Sequence, residues 1–266
     1  MPRIAAVVAS FVLLASCATA PEAPPLAKFD LAPSGKLRAG INFGNVLFAG
    51  KDSKTGEPRG VVVDLARELA RRLDAPLEMI PFESAGKMAD AVKSGAWDVA
   101  FLAIDPARAK EISFSAPFTE IESTYLVPAG SPLKTIADVD RAGVRVAVSA
   151  KSAYDLYLSR TLKHAQLVRA PNPHASYELF IAQKLDALAG VRPALITYAG
   201  QHPGSRVLEG RYSTVQHAIG TPKAREAAAR YLREFAEDVK ASGFVARSIE
   251  KNAARGLTVA PLAATK

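Results

Sequence analysis

The sequence predicts an α/β fold of two doubly wound lobes that the chain crosses twice. Three observations predict it. From Leu37 onward, short apolar runs alternate with stretches of helical periodicity, the pattern of parallel sheets covered by helices. The alternation comes as two series, with joining segments near Ser123 to Pro128 and Ser213 to Pro222. The length of 266 residues suits one large or two modest domains at roughly 100 to 200 residues each.

The first series begins with a strand over Leu37 to Phe43. Gly60-Val61-Val62-Val63 leads into Asp64, placed to cap a helix whose Leu65, Leu69 and Leu73 recur at helical spacing. Next come a strand over Leu77 to Phe82 and a helix over 84 to 94, with Gly95 as its stop. Asp98 to Ile104 reads as a buried strand, which Trp97 and Asp98 introduce through a turn. Asp105-Pro106 reads as an N-cap and a first-turn proline that open another helix.

The second series runs strand 144 to 149, helix 152 to 162, strand 166 to 169, helix 174 to 184, strand 186 to 190 and helix 193 to 199. A strand over Thr214 to Ile219 and a long amphipathic helix from about Lys223 to Ser242 complete the body.

Composition narrows the function. With 49% hydrophobic, 23% charged and 7% aromatic residues, the chain is neither a disordered tail, a collagen-like fibre nor a disulfide-stapled miniprotein. No period of 20 to 50 residues recurs, which argues against a repeat array. The formal net charge of +8 invites a nucleic-acid partner, but the basic residues are scattered singly and in pairs, without interleaved aromatics. No nucleic acid is expected. The field suits anionic small ligands or an anionic membrane surface.

Residues 1–16 read as a signal peptide: Arg3 supplies the charged start, and Ile4 to Ala15 is an apolar run broken only by Ser10. The run is shorter than the ~20 residues that span a bilayer. Its end, Leu14-Ala15-Ser16-Cys17, resembles the lipobox of bacterial lipoproteins, which implies that Cys17 is diacylated and anchors the chain to the membrane. As the single cysteine it cannot form an internal disulfide; the alternatives are a chance thiol in a cleaved leader or an ordinary buried cysteine. The Pro-rich stretch up to Ser34 is expected to be an extended tether.

Four segments carry a wider likeness: G-V-V-V-D-L-A-R-E-L-A-R-R-L at 60–73, A-V-K-S-G-A-W-D-V-A at 91–100, D-P-A-R-A-K-E-I-S-F-S-A-P-F at 105–118 and G-V-R-V-A-V at 143–148. In order and spacing they resemble the family 3 solute-binding proteins of ABC importers, periplasmic binding proteins of type II fold and amino-acid type, over roughly residues 36–252. The stretch 91–118 is the most specific part. The resemblance implies two lobes joined by two hinge strands, with lobe two a continuous insertion. The expected organisation is a signal peptide at 1–16, lipidated cysteine and tether at 17–35, lobe one at 36–125 and 214–252, lobe two at 126–213, and a tail at 253–266.

The resemblance also nominates site residues. Arg108, at the carboxyl end of the strand over Asp98 to Ile104, matches the arginine that grips the ligand's α-carboxylate in amino-acid-binding relatives. A guanidinium there can clamp a carboxylate through two parallel hydrogen bonds, aided by free N–H groups at the helix start. The bland alternative is a solvated arginine paired with Glu111 or another acid. Phe43 matches a ring-stacking position and Phe82 is a weaker second; either can equally be a core residue, the better reading for Phe82. Ser152 matches a lobe-two helix start that contacts carboxylates, compatible with a plain N-cap role.

Two departures from the family pattern stand out. Ala103 occupies a position where relatives carry a hydroxyl, which removes one ligand hydrogen bond. Where amino-acid-binding relatives place an aspartate for the α-ammonium, this sequence has Val191-Arg192-Pro193. Arg192 therefore reads either as a contact for an extra acidic group on a ligand that need not carry an ammonium, or as a solvated helix-start residue.

Other chemistry finds little support. His164, His174, His202 and His217 lack metal-ligand spacing and read as solvated or capping residues on helices or turns, so no metal and no cofactor is expected. No phosphate-loop, nucleophile-elbow or zinc-protease motif is present, and no catalytic residue is assigned. Glu120 and Glu122 near the first hinge read as a charged surface, and gain interest only because a few enzymes share the fold, among them periplasmic cyclohexadienyl dehydratases, which need a carboxyl proton donor. The expected function is a lipid-anchored periplasmic binding protein, monomeric, that passes a small carboxylate-bearing solute, an amino acid or related organic anion, to an ABC permease. The rivals are such a dehydratase and a sensory binding module.

Overall fold

The structure, a computed structural model, describes residues 23–264. The leader at 1–16 and Cys17 lie outside the described residues.

Eight strands form one hydrogen-bonded path in the order Leu77–Phe82, Leu37–Asn42, Val99–Ala103, Ser213–Pro222, Thr119–Val127, Ala187–Val191, Arg145–Ser149, Gln166–Ala170. The strands at each end of the path run parallel to their neighbours. The two in the middle, Thr119–Val127 and Ser213–Pro222, are antiparallel to each other, with His217 opposite Thr119 and Ser213 opposite Ser123. Each also pairs antiparallel with the half of the sheet beside it. These are the two segments the sequence marks as joining the series, and the predicted α/β class with two wound lobes is the observed one.

The strands next inward in the first half owe their place to buried apolar side chains. Leu37, Ala39 and Ile41 are fully buried, and so is the whole of Val99–Ala103 to within 5% exposure. Buried strands of this kind read as continuous apolar runs, covered by helices on either side. Helix Val61–Arg72 turns Val61, Leu65, Leu69 and their neighbours inward, burying roughly 1.5–3 kcal/mol of transfer free energy for each large aliphatic side chain.

Several local expectations change. Asp64 does not cap this helix; Gly60 does, with φ of 129° and a Cβ position only 2.2 Å from the Phe48 carbonyl oxygen, so only glycine fits. Asp64 instead accepts hydrogen bonds from Ser248 at 2.8 Å and Asn252 at 2.9 Å, pinning helix Phe244–Lys251 in place. The helix expected over 84 to 94 is α-helical over Ala85–Asp90 and tightens into a 3-10 turn, Ala91–Ser94, before left-handed Gly95. Asp105 accepts the Ala107 N–H at 2.8 Å, but the chain beyond it forms only the 3-10 turn Arg108–Lys110. A free helix end beside Arg108 is therefore not formed.

The extended tether is replaced at Pro25–Leu31 by a helix with proline in its first turn. Ala27 and Leu31 are buried, and the Asp30 carboxylate accepts the Ala228 N–H at 3.1 Å, capping helix Glu226–Ala241 from a distance. The expected tail is ordered at its start as well: Thr258–Val259 pairs with Thr119 and Glu120. Backbone hydrogen bonding drives this, because the crossing strand otherwise leaves an edge unpaired.

Asp98, fully buried, receives Arg38 Nε at 2.9 Å and Nη2 at 2.8 Å, and Arg225 Nη1 at 2.6 Å. Trp97, also fully buried, donates its indole N–H to the Met88 carbonyl at 2.8 Å. The pair does more than set a turn: it ties the first strand to the start of the last long helix.

Candidate functional site

A cavity of about 220 Å³ opens beside the crossing strands. Both halves of the sheet line it, with Phe48, Phe101 and Ala103 from one side and Ser152, Tyr154, Val191 and Leu195 from the other. Val215 and His217 reach it from a crossing strand.

Arg108 is the charged residue of the lining. The 3-10 turn after Val99–Ala103 swings its side chain back over the strand end, where it is 6% exposed. Nη1 donates to the Ala103 carbonyl at 2.9 Å and Nη2 to the Lys151 carbonyl at 2.9 Å, bridging the two halves. Nε is buried without a partner. Burial pulls the guanidinium down to about 10, with Asp105 and Asp90 pulling the other way, so it keeps its charge at neutral pH. A buried donor without an acceptor is costly, and an anion would satisfy it.

Lys151, the residue that meets Arg108, has φ of 55°, a left-handed conformation that costs a non-glycine residue about 1 kcal/mol or more. Its N–H donates to Asp155 at 2.7 Å and its ammonium reaches Asp90 at 2.6 Å on the opposite half. A second ion pair, Arg160 to Asp105 at 2.8 Å, crosses in the same place. Gly86 packs so tightly here that an added Cβ would lie 2.8 Å from that of Lys151.

Ser152 caps helix Ala153–Thr161 by accepting the Asp155 N–H at 3.0 Å, the plain capping role read from the sequence, and it also lines the cavity. Ala103 lines it too, offering a methyl and the carbonyl that holds Arg108. Phe43 lies half-buried against the main core, outside the lining, and donates its N–H to the Phe82 carbonyl at 2.9 Å. Phe82 packs around Met88 and Trp97, as a core residue should. Phe48 and Phe101 supply the aromatic wall instead. Arg192 faces away: its Nε donates to Glu122 at 2.8 Å and Nη1 to the Leu208 carbonyl at 3.4 Å, so it is neither a cavity contact nor solvated. Arg211 joins Glu122 at 2.6 Å, and together they hold its carboxyl below the usual range.

His217 is the residue the sequence reading misses. It sits on a strand rather than a helix or turn, at ring-centroid distance 4.1 Å from Phe48, with Nδ1 buried and unpaired. Burial first, and then the charge of Arg108, push it down to about 3 and keep it neutral. A signal existed: Val215 and His217 stand two apart on one strand face, and both line the cavity.

The family model for bacterial extracellular solute-binding proteins, family 3, matches residues 37–254. A glutamine-binding protein of Geobacillus stearothermophilus is 24% identical over 200 residues, covering 71% of this chain and 73% of that protein. The ABC transporter glutamine-binding protein GlnH of Bacillus subtilis (strain 168) is 23% identical over 253 residues, covering 87% and 89%. Among solved structures, an ancestral amino acid-binding protein described as a precursor of cyclohexadienyl dehydratase superposes with a TM-score of 0.71 at 22% identity, over 84% of this chain and 98% of its own. Among the described residues, no helix is long and apolar enough to cross a membrane. With its two wound halves, crossing strands and buried arginine inside the matched span, this chain belongs to the bacterial extracellular solute-binding proteins of family 3.

Proposed function

We propose that this protein is the solute-binding component of an ABC importer, lipid-anchored through Cys17 on the periplasmic side of the membrane, and that it captures a small carboxylate-bearing solute in the cavity for delivery to a permease. The observation that carries the reading is the Arg108 guanidinium, buried in the cavity wall with Nε unpaired. A carboxylate entering there gains charge-assisted hydrogen bonds in a water-poor setting.

Capture works by closure. The solute seats on Arg108, the second half folds over it, and the contacts through Lys151 and Arg160 form as the cleft shuts. The solute shifts the population only by its differential affinity for the closed form. Support for the transport role comes from the relatives, which are described as glutamine-binding proteins, one of them of an ABC transporter.

The solved structure described as a dehydratase precursor keeps a second reading, an enzyme of the same fold, in view. Against it, neither Glu120 nor Glu122 lines the cavity; Glu120 accepts from Gln216 at 2.8 Å and Glu122 is held by two arginines. Turnover of prephenate or arogenate, read by product absorbance, would establish the enzyme instead. The test of capture is Arg108→Ala: it should abolish ligand-induced thermal stabilisation, and a variant that binds as well as the parent would end the proposal.

A further inference from the structure

The chemistry of the cavity wall says what kind of carboxylate enters. Among the described residues that line it, Arg108 is the one that is charged, and no carboxylate is present. Three acids around it already serve cations. Asp105 is held by Arg160 at 2.8 Å, Asp155 by Arg169 at 3.0 Å, and Glu122 by Arg192 and Arg211. Two neutral acceptors are engaged as well: Asn42 Oδ1 takes the Gly44 N–H at 3.0 Å, and Ser152 Oγ takes the Asp155 N–H.

An amino-acid zwitterion brings two charges into this space. Its carboxylate is answered by Arg108, but its ammonium would be buried beside a guanidinium with no counter-charge, an uncompensated cation in a low-dielectric site. The wall carries uncharged polar groups such as Asn45, Ser149 and Tyr154, and its apolar part, with Leu47, Phe48, Phe101, Val191 and Leu195, suits a branched or aryl body. His217, on the crossing strand, is neutral: it can donate one hydrogen bond and accept another, but carries no negative charge to answer an ammonium.

We propose that the solute is an apolar carboxylate without an α-ammonium, a 2-oxo, 2-hydroxy or simple branched or aryl acid, and not an amino acid. This rests on the capture reading and narrows it. Val191 lines the cavity where strand Ala187–Val191 ends and helix Arg192–Gln201 begins, and its apolar character makes the choice.

The experiment is isothermal titration of the purified protein with matched probes: 4-methyl-2-oxopentanoate against leucine, phenylpyruvate and 3-phenylpropanoate against phenylalanine, and 3-methylbutylamine as a cation without a carboxylate. Glutamine and arginine complete the panel. At least one acid should bind tenfold or more tighter than its matched amino acid, and the amine should give no binding. Val191→Asp should narrow that preference at least tenfold by supplying the missing counter-charge. Leucine or phenylalanine binding as tightly as the acids would overturn the inference and leave capture through Arg108 intact. Binding of glutamine or arginine alone would do the same. An amine that binds better than the acids would overturn both, since Arg108 could not then be an anion anchor. The parent protein's panel decides the matter even if Val191→Asp does not fold.

Discussion

Replacing Arg160 with glutamine separates closure from ligand contact. Arg160 lies outside the cavity lining, yet its guanidinium reaches Asp105 across the cleft at 2.8 Å. The arginine side chain is 46% exposed and the aspartate 3%, so the pair lies between two limits. Exposed pairs contribute about 0.2–1 kcal/mol, and breaking a fully buried pair costs about 3–5 kcal/mol. An intermediate pair is worth about 1–2 kcal/mol, because Asp105 keeps the Ala107 N–H when its cation is lost. If the pair forms only on closure, Arg160→Gln should raise Kd roughly 5- to 30-fold, at 1.4 kcal/mol per decade. Titration calorimetry measures that, and small-angle scattering of the unliganded variant should report a larger radius of gyration. The reasoning fails if Kd is unchanged, or if Kd rises only as far as Lys151→Ala raises it. That variant removes the Asp90 pair, whose side chains are 62% and 61% exposed, and should cost no more than a few-fold.

Three further outcomes are expected. Asp98→Ala leaves Arg38 and Arg225 facing each other without their fully buried acid, and should cost about 3–5 kcal/mol, lowering Tm by roughly 10 °C in a thermal melt. His217 has its folded pKa held near 3, below its unfolded value, so the unfolded chain binds the extra proton first; stability is full above about pH 6.5 and falls as pH drops toward 3, by about 1–2 kcal/mol at pH 5. Denaturant melts at pH 7 and pH 5 should show that loss shrink in His217→Asn. Cys17→Ala should move the protein from the membrane fraction to the soluble one and abolish incorporation of labelled fatty acid; retention at the membrane would refute the anchor.

The strands and helices of the body were legible because their apolar residues recur with the periods that burial demands. Val99–Ala103 and Val61–Arg72 are the clearest cases, one apolar throughout and one apolar on a single face. The crossing segments were legible as well, since they interrupt the strand-then-helix rhythm. Arg108 and Ser152 could be named because the segments around them match the resembled family, one in the first turn after a buried strand and one at a helix start. Not every cap was legible: whether Gly60 or Asp64 starts a helix depends on the Phe48 carbonyl, well before Gly60 in the chain. Nor could the chain order show that Asp30 caps a helix beginning at Glu226, or that Glu122 claims Arg192. Sequence determined most strands and helices of the body, since burial periodicity is local, but not the helix at Pro25–Leu31 or the short turn at Arg108–Lys110. Tertiary structure alone decided which polar groups meet, leaving Arg108 Nε and His217 Nδ1 without partners beside an apolar cavity, because pairing depends on distances that only the folded chain sets.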